Sequence, residues 1–159
     1  MRLSHVIPLE AIAIDVPAKD KPQALKFLAK KLSKQSGIDP ERIRSALAAR
    51  EAIGSTGIGR GAAVPHVCFG ELQRSYAVFA RLDEAIDFDA IDGEPVDLLF
   101  AVISPNGPKC GASEPLSILA SMSRLLREPS STQALRTAGS VQAVYDVLLK
   151  TDDPVAMVS

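Results

Sequence analysis

The stretch from Glu51 to His66, Glu-Ala-Ile-Gly-Ser-Thr-Gly-Ile-Gly-Arg-Gly-Ala-Ala-Val-Pro-His, gathers the residues of this 159-residue chain best suited to chemistry. It contains one of the two histidines, directly after a glycine-rich run and a proline. Gly57, Gly59 and Gly61 free the backbone to turn its N–H groups toward one point, as anion-binding nests do. The spacing is Gly-x-Gly-x-Gly, which is not the dinucleotide fingerprint. The run also follows a helical pattern and leads into a strand, the reverse of the nucleotide-binding order. No Lys-Ser or Lys-Thr closes it as in a P-loop, so a nucleotide site is not expected. The plain alternative is a flexible glycine connector.

Pro65 fixes its own φ, removes a backbone donor and biases Val64 toward an extended conformation. His66 is therefore presented from a stiff backbone where a strand ladder is broken, which suits a nucleophile held in one orientation. The alternative is a core histidine satisfied by a backbone carbonyl. Arg50 lies seven residues after Ile43, on the helix face that carries Leu47 inward, and at the helix end beside the glycine run. An inward guanidinium needs a partner. Its planar fork matches a phosphoryl group, whose oxygens it binds in pairs. The alternatives are a salt bridge to Glu51 or Asp87, or a helix-terminal charge facing water. A further reading makes Cys68 a nucleophile assisted by His66. It has little support, because no orienting carboxylate or oxyanion site is evident.

The elements that must hold these residues follow from pattern. Ile12, Ile14 and Val16 alternate with Ala11, Ala13 and Asp15 as a first strand. Asp20 precedes an amphipathic helix with Leu25, Leu28, Ala29 and Leu32 on one stripe, ended by Gly37. Asp39-Pro40 starts a second helix whose inner face carries Ile43, Ala46 and Leu47. Gly54 to Gly61 is expected to be irregular. Ala62 to Phe69 reads as a strand interrupted by Pro65, Tyr76 to Leu82 as a strand, and Ile86 to Phe88 as a further short one. Val96 to Ile103 is a nearly continuous apolar run, as in a central strand buried on both faces. Helices are expected over Ser113–Arg127, Ser131–Thr137 and Ser140–Lys150. The sum is one α/β domain over residues 1–150, with a frayed tail over 151–159. The strand cluster makes its sheet mixed.

Bulk properties narrow the function classes. Hydrophobic residues are 47% of the chain, charged residues 23%, and the net charge is −1. Without a basic cluster there is no electrostatic case for nucleic acid. Aromatics are 4% with no tryptophan, which argues against base stacking. No segment is long and apolar enough to span a membrane, and residues 1–10 do not read as a signal peptide, so a cytoplasmic protein is expected. The cysteines, Cys68 and Cys110, fit neither a disulfide framework nor a metal-site spacing.

These residues resemble the enzyme IIA domains of the bacterial phosphotransferase system, type 2 (fructose/mannitol/nitrogen-regulatory). The family's motif reads here Glu51, Ile58, Gly59, Ala62, Ala63, Val64, Pro65, His66 and Val67. Ala62 stands for a larger aliphatic residue and Val67 for a smaller one. Ala-Arg-Glu before the motif, Ser-Thr-Gly-Ile-Gly within it and Ile86-Asp-Phe-Asp-Ala-Ile-Asp-Gly-Glu-Pro-Val-Asp-Leu-Leu-Phe after it look like the nitrogen-regulatory branch.

The resemblance implies a three-layer α/β/α sandwich around a small mixed sheet. It also implies a phosphocarrier that accepts a phosphoryl group on His66 from an HPr-like carrier through Nε2, with Arg50 nearby. Regulatory target proteins would read the phosphorylation state, and no cofactor or metal would be needed. A non-catalytic regulatory module with weak or lost transfer is the alternative. Where the family often has a second histidine, this chain has Glu114, either a charged residue favouring a helix N-terminus or a neighbour that slows transfer. His5 takes no role. Ile58 and Phe69, if exposed, would form an apolar ring around the site for partners to dock on.

Overall fold

A computed structural model describes residues 3–105 and 113–152, with side chains at 113–116 and 151–152 left out of the description. The strands are β1 (Ile12–Val16), β2 (Gly57–Gly59), β3 (Ala62–Ala63), β4 (His66–Cys68), β5 (Tyr76–Ile86) and β6 (Val96–Ser104). The helices are α1 (Leu3–Val6), α2 (Lys21–Ser36), α3 (Pro40–Ile53), α4 (Ser113–Arg127), α5 (Pro129–Thr137) and α6 (Val141–Asp152).

The strands form one mixed sheet in the order β1-β5-β6-β3-β2, with β4 also pairing β6. β6 pairs antiparallel with β5, and eight of its nine residues are buried, as its unbroken apolar run requires. Its other edge is shared by two short parallel strands in succession. Ala62 and Ala63 face Leu98 and Leu99, and His66 to Cys68 face Val102 to Ser104. Pro65 sits at the break between them. It cannot donate to the ladder, but its carbonyl accepts from Val102 N at 3.0 Å. The β4 strand, and His66 at its start, are therefore fixed by a deeply buried strand.

Helix limits follow local chemistry. Asp20 caps α2 through a 2.9 Å bond to Gln23 N, and Gly37 ends it in the left-handed region at φ 80°. Asp39 caps α3 and Pro40 starts it. Ile43 and Leu47 are fully buried beneath α3, beside Leu25, Leu28, Ala29 and Leu32 of α2. These two helices pack together, with α2 against β5 and β6; α1, α4, α5 and α6 form a second group, with α6 against β1. The result is the α/β/α arrangement expected.

Three expectations change. Gly57–Gly59 is regular after all: it pairs with Ala62–Ala63 as a hairpin. Arg60 and Gly61 form its turn with φ 58° and 80°, the positive values that a two-residue hairpin demands. Glycine is poor in strands in general, but a Cβ on Gly57 would lie 3.0 Å from Ala90 Cβ, tighter than ordinary contact, so close packing favours glycine there. Tyr76 to Ile86 is one strand with an irregularity between Arg81 and Ile86, and Phe88 lies beyond it in the core. α5 begins at Pro129, whose ring favours the first helical position, ahead of the expected Ser131. Helix α1 is too short for periodicity to reveal, yet it buries Leu3 and Val6. Cys110, and 153–159 of the expected tail, lie outside the described residues.

Candidate functional site

α3, β2, the β3–β4 break and α4 meet around an open cavity of about 300 Å³. Arg50 enters from the last turn of α3. Ser55, Thr56, Gly57 and Ile58, Val64 and His66, and Leu119 and Ser123 of α4 complete the cavity lining. Two residues singled out for chemistry, His66 and Arg50, therefore face one space although fifteen residues separate them in the chain.

His66 is half-buried, and its Nδ1 lies 2.8 Å from the carbonyl oxygen of Val64. A carbonyl only accepts, so this contact requires the proton on Nδ1 in the neutral ring and leaves the Nε2 lone pair unprotonated. Arg50 Nη1 donates to the Gly54 carbonyl at 2.9 Å, which closes the end of α3. Neither expected rival pairs with Arg50: Glu51 pairs with Lys21, and the Asp87 carboxylate accepts from Asp89 N. The guanidinium keeps further N–H groups at the cavity wall, able to bind an anion.

The three glycines separate. Gly57 lines the cavity, and its N–H donates to Ser55 Oγ at 3.0 Å. Gly59 and Gly61 flank Arg60 in the hairpin and are not among the lining residues. A Cβ on Gly61 would lie 2.6 Å from Arg136 Nη2, which itself bonds the Arg60 carbonyl at 2.8 Å and Asp97 at 2.9 Å. Cys68 is exposed and not among the lining residues. Ile58 is exposed at the cavity, but Phe69 is buried against the core and provides no docking ring. Glu114 falls within α4, with its side chain outside the described residues. His5 is exposed on α1.

Sequence reasoning missed the support beneath the cavity. The Glu51 carboxylate is 3% exposed and accepts from Thr56 N at 3.2 Å, from Thr56 Oγ1, and from Lys21 Nζ at 2.9 Å. Lys21 also donates to the Phe88 carbonyl at 3.2 Å and sits 4.6 Å over the Phe88 ring. The acidic position at Glu51 was a legible signal. Lys21, thirty residues earlier, offered none.

The hairpin turn is held from outside by Asp92, whose carboxylate accepts from Glu94 N at 3.1 Å and Arg60 N at 3.0 Å. These two bonds, in that order, hold its pKa below the ordinary value of 3.8. A depressed carboxylate contributes stability above its unfolded pKa and loses it as pH falls through the folded one. Acidification through that window is expected to release the Glu94 and Arg60 amides together, read as a joint shift in an amide titration by NMR. An Arg60 amide that stays in place throughout would show that Asp92 does not hold the turn.

Among the described residues no group of three or more His, Cys, Asp or Glu side chains is placed to hold a metal, and no helix is long and apolar enough to cross a membrane. Residues 5–151 match the family described as "Phosphoenolpyruvate-dependent sugar phosphotransferase system, EIIA 2". The chain is 36% identical over 148 residues to the nitrogen regulatory protein of Bradyrhizobium diazoefficiens, covering 93% of this chain and 95% of that protein. It is 35% identical over 156 residues to the nitrogen regulatory protein of Escherichia coli, covering 96% and 92%. The crystal structure of nitrogen regulatory protein IIA-Ntr from Neisseria meningitidis superposes with a TM-score of 0.86 at 29% identity, covering 92% of this chain and 98% of that one.

Proposed function

Because this chain belongs to the phosphoenolpyruvate-dependent sugar phosphotransferase system EIIA 2 family, we propose that it is a cytoplasmic phosphocarrier that accepts a phosphoryl group on Nε2 of His66 from the phosphohistidine of an HPr-like carrier. The observation that carries this reading is the 2.8 Å contact from His66 Nδ1 to the Val64 carbonyl, made at the wall of a cavity shared with Arg50. The Nε2 lone pair forms the new N–P bond as the carrier's P–N bond breaks, and the carrier's imidazole leaves with the electron pair. The exchange balances between two imidazoles and one phosphoryl group.

The transition state is loose and spreads negative charge over the phosphoryl oxygens, so the protein's work is positioning and charge stabilisation. Arg50 supplies charge and paired donors from the end of α3. As the N–P bond forms, the ring gains positive charge while Nδ1 keeps its proton, and the Val64 carbonyl dipole favours that change. Of the three glycines, the structural support is for Gly57 as part of the wall.

The output is regulatory. Relatives at 35% and 36% identity are named nitrogen regulatory proteins, and a phosphoryl group adds about two negative charges at one point, a difference a docked target must sense. Ile53 and Ile58, 85% and 45% exposed, stand at the end of α3 and in β2 as apolar contacts for such targets.

Incubation with phosphoenolpyruvate, enzyme I and an HPr-like carrier tests the phosphocarrier reading. The expected product is an acid-labile adduct mapped to His66. No adduct, or one mapped to His5, overturns it.

A further inference from the structure

We propose that Lys21, Glu51 and Thr56 are positioning residues for His66, acting through a hydrogen-bond series that ends on Nδ1 and thereby keeps Nε2 as the nitrogen free to react. The proposal rests on His66 as the acceptor and extends it to residues that never touch the phosphoryl group. Lys21 Nζ meets Glu51 at 2.9 Å, and Glu51 accepts from Thr56 N at 3.2 Å and from its hydroxyl. The Thr56 carbonyl accepts from Val64 N at 3.1 Å, and the Val64 carbonyl meets His66 Nδ1 at 2.8 Å.

Each link has a physical reason. The two neutral tautomers of imidazole are close in energy, so the surroundings choose between them. Here the choice is made by one carbonyl, and a carbonyl is only as well placed as its peptide. Val64 cannot rely on the next residue in the ladder, because Pro65 has no N–H. Its amide is held by the Thr56 carbonyl instead. Thr56 in turn lies just after the end of α3 and is fixed at both its amide and its hydroxyl by Glu51. A carboxylate 3% exposed requires a paired cation, which Lys21 provides from the first turn of α2. The ammonium also lies 3.5 Å from the exposed carboxylate of Asp89, so it offsets part, not all, of the negative charge gathered there.

The deciding measurement is the tautomer of His66, read from long-range 1H–15N correlations of protein labelled in histidine, without any phosphodonor. Wild type is expected to hold the neutral ring as the Nδ1–H form. Glu51→Gln and Lys21→Met should each give a mixture of tautomers and slow phosphoryl uptake about tenfold, the effect of losing one hydrogen bond's worth of alignment. Thr56→Val keeps the side-chain volume and removes the hydroxyl, and should move the tautomer in the same direction; Thr56→Ser should recover it. A structural role alone would change stability and leave the tautomer as it is.

A wild-type ring protonated on Nε2 overturns the proposal outright. So does a pure Nδ1–H ring in folded Thr56→Val and Glu51→Gln. If Glu51→Gln fails to fold by circular dichroism, the Thr56 pair decides alone. The spectrum is independent of the transfer assay, so a protein with the expected tautomer and no adduct would refute the phosphocarrier reading and leave the series intact.

Discussion

His66→Ala is expected to lose phosphoryl uptake completely while the protein stays folded. The loss is complete because the bond being made is to Nε2, and no other described group at the cavity offers a nitrogen nucleophile. The Arg50 guanidinium offers donors only, and Ser55, Thr56 and Ser123 offer only hydroxyls. The fold survives because His66 is half-buried and makes one side-chain hydrogen bond, to Val64. Its removal costs about 1 kcal/mol, since the freed carbonyl faces an open cavity that water can enter. For a domain of this size that amounts to a melting temperature lowered by about 2–4 °C. The measurement is the acid-labile adduct in the reconstituted phosphorelay, beside a thermal melt of the same preparation. An undiminished adduct on a folded His66→Ala protein would place the acceptor elsewhere, and peptide mapping would then show where.

Arg50→Lys is expected to slow transfer about tenfold or more with little change in stability, the scale of one charge-assisted hydrogen bond lost in the transition state. Arg50 already spends one N–H on the Gly54 carbonyl at 2.9 Å. A planar guanidinium can hold that carbonyl and present other N–H groups to phosphoryl oxygens at the same time. An ammonium in its place keeps the charge but concentrates it on one nitrogen, so it cannot span both. The comparison with Arg50→Ala separates the two contributions: alanine removes charge and fork together and should be slower still. If Arg50→Lys transfers at the wild-type rate, the guanidinium serves the end of α3 and not the phosphoryl group. Single-turnover rates at saturating carrier are the appropriate readout, because a change confined to carrier binding would disappear at saturation.

Legibility in the sequence was uneven, and the reason differs from place to place. The caps of α2 and α3 were readable because Asp20, Gly37, Asp39 and Pro40 act on their own neighbours. The central strand was readable because β6 is buried on both faces and shows it as an apolar run. The hairpin at Gly57–Ala63 was not, because strand pairing there depends on what lies opposite. Gly57 is tolerated in a strand since Ala90 fills the space its side chain would need, and Ala90 is thirty-three residues away. Gly59 and Gly61 looked like partners of Gly57 in an anion nest. Their amino-acid type permits the positive φ they adopt, 93° and 80°, but does not set the direction in which the turn points.

The sequence by itself determined the chemistry available: one histidine behind a proline, an arginine at a helix end, and the family motif that spans Glu51 to Val67. It did so because nucleophilicity, charge and backbone restriction belong to residue types and short spacings. The tertiary structure alone decided which atoms meet. Phe69 went into the core while Ile58 stayed exposed at the cavity, and Arg50 bonds the Gly54 carbonyl in place of a carboxylate. The carbonyl of Val64, whose own amide is held by Thr56, came to lie 2.8 Å from His66 Nδ1. Most remote of all, Lys21 of α2 came to pair with Glu51, at the far end of the hydrogen bonds that lead to His66. Hydrogen bonds act over about 3 Å, and only packing two helices and a sheet edge together brings groups forty-five residues apart into one such series.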